Sequence, residues 1–135
     1  MKFQLLAAAC VALTALAGCT VDSGPSRVVV VGDGSLVVDW TIEGAKDSRD
    51  CAAMGADSID VVVSTAAGDF VGDFGGYCED FAVDIQLAPG AYYGSATLLD
   101  AAGRPRTTSV DLGSFRILGD DELHVPIDFP LDSFF

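Results

Sequence analysis

Leu36-Val37-Val38-Asp39-Trp40-Thr41-Ile42 decides the fold. In an extended chain successive side chains point to opposite faces. Leu36, Val38, Trp40 and Ile42 therefore share one face, with Val37, Asp39 and Thr41 on the other. Such a period-two alternation marks a strand with one buried side. The pattern recurs along the chain. Ile59, Val61 and Val63 repeat it against Ser58, Asp60, Val62 and Ser64. Phe81, Val83, Ile85 and Leu87 form a third set, and Tyr92, Gly94, Ala96 and Leu98 a fourth. Leu123, Val125, Ile127 and Phe129 make a fifth, with His124, Pro126 and Asp128 facing away. Less regular strands are expected at Val28–Val31, Phe70–Phe74 and Ser109–Ile117.

Turn signals separate these runs: Gly32-Asp33-Gly34, Ala67-Gly68-Asp69, Pro89-Gly90, Ala102-Gly103 and Gly119-Asp120. Seven to eight short strands at this spacing predict an all-β, antiparallel β-sandwich over residues 27–135. Pro126 has no N–H to give a ladder, which predicts an edge strand or a bulge. The one stretch of helical character is Ser48 to Ala56, read as a single turn capped by Ser48.

The leader is a separate unit. Lys2 supplies a positive start, and Leu5 to Ala17 form an uncharged apolar run. A bilayer span needs about 20 apolar residues, so this run suits a secretory signal instead. It ends in Leu16-Ala17-Gly18-Cys19, which resembles the lipobox of bacterial lipoproteins over about the first 20 residues. The resemblance implies a signal peptide at 1–18, with Cys19 as the first mature residue and the site of diacylglycerol and acyl (palmitate-type) attachment. Two or more acyl chains hold a protein stably on a membrane. Thr20 stands where an aspartate would resemble an inner-membrane retention signal, which favours the outer membrane. Thr20 to Ser26 would be a polar tether reaching about 23 Å at full extension.

Ala15-Leu16-Ala17 overlaps this site and is itself an A-x-A pattern for ordinary signal cleavage. The cysteines Cys10, Cys19, Cys51 and Cys78 bear on the choice. Cys10 leaves with the leader on either reading, and ordinary cleavage leaves three cysteines and an odd thiol. Lipidation of Cys19 leaves Cys51 and Cys78 to pair, as expected in an oxidising compartment. Closing the 28-residue loop would stabilise the fold by about 3.6 kcal/mol in the chain-entropy treatment.

Leu87-Ala88-Pro89-Gly90-Ala91-Tyr92, with Leu98-Leu99-Asp100-Ala101-Ala102-Gly103, resembles the strand-turn-strand of transthyretin-like and Cna-B-like sandwiches over about 20 residues. With the lipobox and the ending Pro126-Ile127-Asp128-Phe129-Pro130, the chain looks like small bacterial lipoproteins of this architecture. The resemblance implies a transthyretin-like or immunoglobulin-like sandwich. The Lys–Asn isopeptide familiar in Cna-B domains does not fit. The chain has no asparagine, and Lys46 lies in a polar loop, Glu43–Asp50.

The formal charge is −13, and loss of Lys2 with the leader makes the mature chain one unit more negative. Phosphates repel such a chain, which argues against nucleic acid and anionic lipid as ligands. A nucleophile needs a base to activate it. The lone histidine, His124, is expected on a solvent face, and a histidine-based zinc site lacks ligands. Among carboxylates, Asp120-Asp121-Glu122 and the Asp69/Asp73 pair are the weak calcium candidates, against ordinary solvated turns. A glycosidase-like carboxylate pair has no pocket-forming insertion to house it. Trp40 is expected in the core, with a ligand-stacking platform as the alternative. Phe134 and Phe135 are expected to pack over an open end of the sandwich.

These readings converge on a lipid-anchored cell-envelope protein with a structural or interaction role, without catalysis or cofactor. Its expected partners are the membrane through the anchor, and an envelope protein or glycan. A calcium- or carbohydrate-binding lipoprotein is the alternative.

Overall fold

Strand β1 (Gly34–Ile42) realises the alternation of its sequence, burying Gly34, Leu36, Val38, Trp40 and Ile42 and leaving the intervening residues partly exposed. The structure is a computed structural model that describes residues 32–135. The leader, Cys19, the tether and the expected strand at Val28–Val31 lie outside the described residues. After β1 come helix α1 (Ser48–Met54) and strands β2 (Ser58–Thr65), β3 (Phe70–Tyr77), β4 (Ala82–Leu87), β5 (Gly90–Leu99), β6 (Val110–Ile117) and β7 (Glu122–Phe129). The described residues thus form seven strands. They make a three-stranded sheet ordered β4-β1-β7 and a four-stranded sheet ordered β3-β2-β5-β6.

The two sheets share one core. Leu36, Trp40 and Ile42 of β1, Ile85 of β4 and Phe129 of β7 meet Ile59, Val61 and Val63 of β2, Leu98 of β5 and Ile117 of β6. Chain entry into β1 is tight: a Cβ at Gly34 would collide with the Leu118 carbonyl, so only glycine lets the backbone pass there.

Several expectations need correction. The sheets are antiparallel with one exception, since β1 and β7 run parallel from Ser35↔Glu122 to Ile42↔Phe129. These are the first and last described strands, and five strands of intervening chain let them meet in either sense. Phe81 precedes β4 instead of starting it. It lies in the left-handed region at φ 54°, an unusual place for a bulky residue, yet its ring is buried. The cap of α1 is Asp47, not Ser48: the Asp47 carboxylate accepts the Arg49 N–H at 2.9 Å. Strand β3 runs to Tyr77 rather than Phe74, and β6 begins at Val110. Pro126 does lie on an edge strand of the described sheet, because among the described residues β7 pairs only with β1. That position also explains why Leu123, Val125 and Ile127 are only half-buried.

Cys51 of α1 and Cys78, in a 3₁₀ turn at Cys78–Asp80, form a disulfide with their Cα atoms 6.0 Å apart. Both are buried. The Trp40 indole N–H donates to the Cys78 carbonyl at 3.1 Å, and the Trp40 backbone N–H donates to the Phe81 carbonyl at 3.1 Å. The Trp40 and Phe81 rings lie 6.3 Å apart and tilted. The unusual Phe81 backbone is therefore held by a hydrogen bond and by ring packing.

Replacing both cysteines by serine should lower unfolding free energy by about 3.6 kcal/mol, and Trp40→Ala by about 3–5 kcal/mol. Urea denaturation followed by circular dichroism measures both. If the cysteine pair costs less than the error of the extrapolation, the cross-link is not a determinant of stability.

Candidate functional site

Two outward sheet faces carry the polar residues. On the three-stranded sheet, parallel register sets His124 of β7 beside Val37 of β1, two residues from Asp39 and on the same face. His124 Nδ1 lies 3.1 Å from Asp39 Oδ2, and Nε2 lies 2.6 Å from Glu122 Oε1. Only an imidazolium donates on both sides. The hydrogen bond to Asp39, then that to Glu122, raises the His124 pKa. Reciprocally, the bond from His124 lowers that of Asp39, with Lys46 assisting from 3.4 Å. So clamped, His124 has no free nitrogen to take a proton from a nucleophile.

A shallow groove of about 550 Å³ runs alongside, lined by Asp39, Thr41, Lys46, Pro126 and Asp128 among others. Its polar walls are already partnered. Asp128 accepts from Thr41 Oγ1 at 2.6 Å and from the Gly44 N–H at 2.8 Å. On β4, Asp84 accepts from Ser35 Oγ and from Gln86.

The outward face of the four-stranded sheet differs. Burial, then the charge of Asp73, raises the pKa of Asp60. Asp60 faces Gly75 of β3, which lies between Asp73 and Tyr77 along the strand. Tyr77 is 67% exposed and Tyr93 of β5 is 43% exposed. A second shallow groove of about 280 Å³ is lined by Val62, Ser64, Tyr93, Ser95, Ser109 and Asp111 with Gly94.

The other residues singled out from the sequence fall as follows. Cys51 and Cys78 are joined, and Cys19 lies outside the described residues. Asp120 and Asp121 occupy the β6–β7 turn, Asp120 at φ 61°, while Glu122 is turned to His124. Among the described residues, no three His, Cys, Asp or Glu side chains gather as a metal site. Asp73 acts on Asp60 across the sheet, whereas Asp69 sits in the β2–β3 turn, its N–H bonded to Thr65 Oγ1 at 3.1 Å. Trp40 is wholly buried and offers no stacking platform. Phe134 packs against the core, but Phe135 is 68% exposed. Lys46 pairs with Asp39 and stays on the surface. The clamp on His124 was missed from sequence. Its one signal was that Asp39 and His124 both occupy solvent-facing strand positions; the register that brings them together was absent.

No family model matches this chain, and no curated protein does either. Among solved structures it is similar to a leucine-rich repeat protein from Bacteroides thetaiotaomicron, at 18% identity and a TM-score of 0.47. That similarity covers 76% of this chain and 14% of the other, so the chain spans a small part of the structure it matches.

His124 is the sole histidine, so its titration is directly assignable by proton NMR. Its midpoint should lie above the ordinary value of about 6.5 and fall towards it in Asp39→Asn. The imidazolium stabilises the fold fully below about pH 6.5, and this contribution disappears as pH rises through the raised folded value. The contribution of Asp39 is present above about pH 3.9 and disappears as pH falls through its lowered folded value. A midpoint unchanged by Asp39→Asn would show that the clamp does not persist in solution.

Proposed function

We propose that this protein is an exported lipoprotein, held at Cys19 to a cell-envelope membrane, whose β-sandwich serves as a structural or interaction module rather than a catalyst. The observation that carries the reading is the buried Cys51–Cys78 disulfide. It supports folding in an oxidising compartment and takes up both cysteines outside the leader and lipobox. Cys19 is then left as an odd thiol unless acylation at Leu16-Ala17-Gly18-Cys19 uses it. The threonine at position 20 favours the outer membrane.

The strand order bears on the sandwich type. In immunoglobulin domains the first two strands share a sheet, whereas the first two strands among the described residues, β1 and β2, lie in different sheets. This supports the transthyretin-like alternative that Leu87–Tyr92 suggested. The clamp on His124 and the partnered walls of its groove favour a non-catalytic role. A glycan is the second reading for the partner, favoured by Tyr77 and Tyr93 exposed on the four-stranded sheet.

Mass spectrometry of the protein purified from membranes should find an N-terminal peptide that begins at acylated Cys19. The Cys19→Ala variant should lose membrane association while retaining its fold. An N-terminus at unmodified Gly18, or membrane retention of Cys19→Ala, would sink the lipoprotein reading. Cross-linking in intact cells should recover a reproducible envelope neighbour.

A further inference from the structure

We propose that the free edge of β3 is a docking strand for a basic, extended segment of a partner protein, which adds to the four-stranded sheet as a fifth strand. The inference rests on the interaction-module reading and names the surface and the chemistry of its partner. Among the described residues, strand β3 pairs with β2 on one side only. The Cys78 N–H donates to the Asp57 carbonyl at 2.9 Å. Alternation along an antiparallel ladder then turns the N–H and C=O groups of Gly76 and Phe74 towards β2, and those of Asp73, Gly75 and Tyr77 outwards. Those three residues are exposed.

Exposed edges invite strand addition, and proteins commonly blunt them with lysine, proline, bulges or shortness. The other three edges carry such features. Strand β7 contains Pro126, β4 has six residues, and β6 is broken by a register shift opposite Gly94/Ser95. Strand β3 has neither lysine nor proline, and its own register shift is confined to the Phe70 end. Gly72, Gly75 and Gly76 keep side chains from shielding the backbone.

Charge selects the occupant. From Asp50 to Gly103 the sequence contains nine Asp and Glu residues and no Lys, Arg or His. Strands β2 to β5 all lie within this span. Asp73 stands among the outward groups of β3, Asp60 of β2 lies opposite Gly75, and the raised pKa of Asp60 reflects burial and the like charge of Asp73. A second copy of this chain would add its own carboxylates to that repulsion. A glycan would leave the outward N–H row without a matching backbone. An extended segment with alternating Lys or Arg meets both demands: main-chain bonds supply affinity, and alternate side chains supply specificity.

The test uses the full chain in nonionic detergent, titrated with a ten-residue peptide of alternating lysine and threonine and with its glutamate–threonine counterpart. Expected are slowed amide exchange at Asp73, Gly75 and Tyr77 with the lysine peptide alone, and weakening as salt rises from about 50 to about 500 mM. Asp73→Lys, an exposed site whose change should not disturb folding, should weaken binding by about tenfold or more. Protection elsewhere, equal binding of the acidic peptide, selective binding of a neutral glycan, or self-association through β3 would each overturn the proposal. None of these results alters the N-terminal mass, so failure here is distinct from failure of the lipoprotein reading.

Discussion

The Cys51–Cys78 cross-link, with Trp40 lying against it, is the constraint on which the two-sheet arrangement depends. Cys51 follows the central strand of one sheet, and Cys78 follows an edge strand of the other. Trp40 completes the tie by donating its indole N–H to Cys78 and its backbone N–H to Phe81. The tie matters because β3 is weak in its own right. Three of its eight residues are glycine, which adds no packing and loses much conformational entropy on ordering. An edge strand of that composition needs its end fixed, and the disulfide fixes it one residue beyond Tyr77. The stabilisation of one cross-link is comparable with a large part of a small domain's net stability.

Most of the fold was legible because burial in a sheet writes period two into the sequence. Strands β1, β2 and β5 alternate cleanly, and every apolar position on their inward faces is buried. Strand β3 was legible only to Phe74, since Gly75 and Gly76 have no side chain with which to show a face. The parallel sense of β1 and β7 was illegible for a different reason. Register between distant strands is decided by how whole faces meet, and no local pattern encodes it. The cap of α1 illustrates a finer limit. Asp47 and Ser48 are adjacent and both suit an N-cap, and the choice fell to Asp47, whose carboxylate also binds the Arg49 side chain. That pair holds the Asp47 pKa down to about 2.

Electrostatics divides the molecule more sharply than composition suggests. Three of the cations pair near at hand in sequence: Lys46 with Asp39, Arg49 with Asp47 and Arg104 with Asp100. Arg106 spends its guanidinium on the Met54 carbonyl at the end of α1. Exposed pairs of this kind add little to stability, so their larger consequence is spatial. They concentrate neutralisation around the α1 loop and the β5–β6 connection, and leave β2 to β5 without a cation in sequence. A field of one sign steers encounter and rejects like-charged partners, which gives the uncovered β3 edge selectivity that backbone hydrogen bonding alone would lack.

Charge repulsion would oppose attachment of an acidic domain on the proposed lipid anchor if the membrane surface is anionic. The length scales remove the conflict. Repulsion between exposed charges is largely screened beyond about 8 Å at physiological ionic strength, whereas Thr20 to Ser26 reach about 23 Å when extended. A domain so tethered would stand clear of the surface at little electrostatic cost, while the proposed anchoring would depend on acyl chains that the charge does not touch. Repulsion at short range then becomes useful. On the proposed anchor it would favour orientations that turn the carboxylate-bearing faces, and with them the β3 edge, away from an anionic surface.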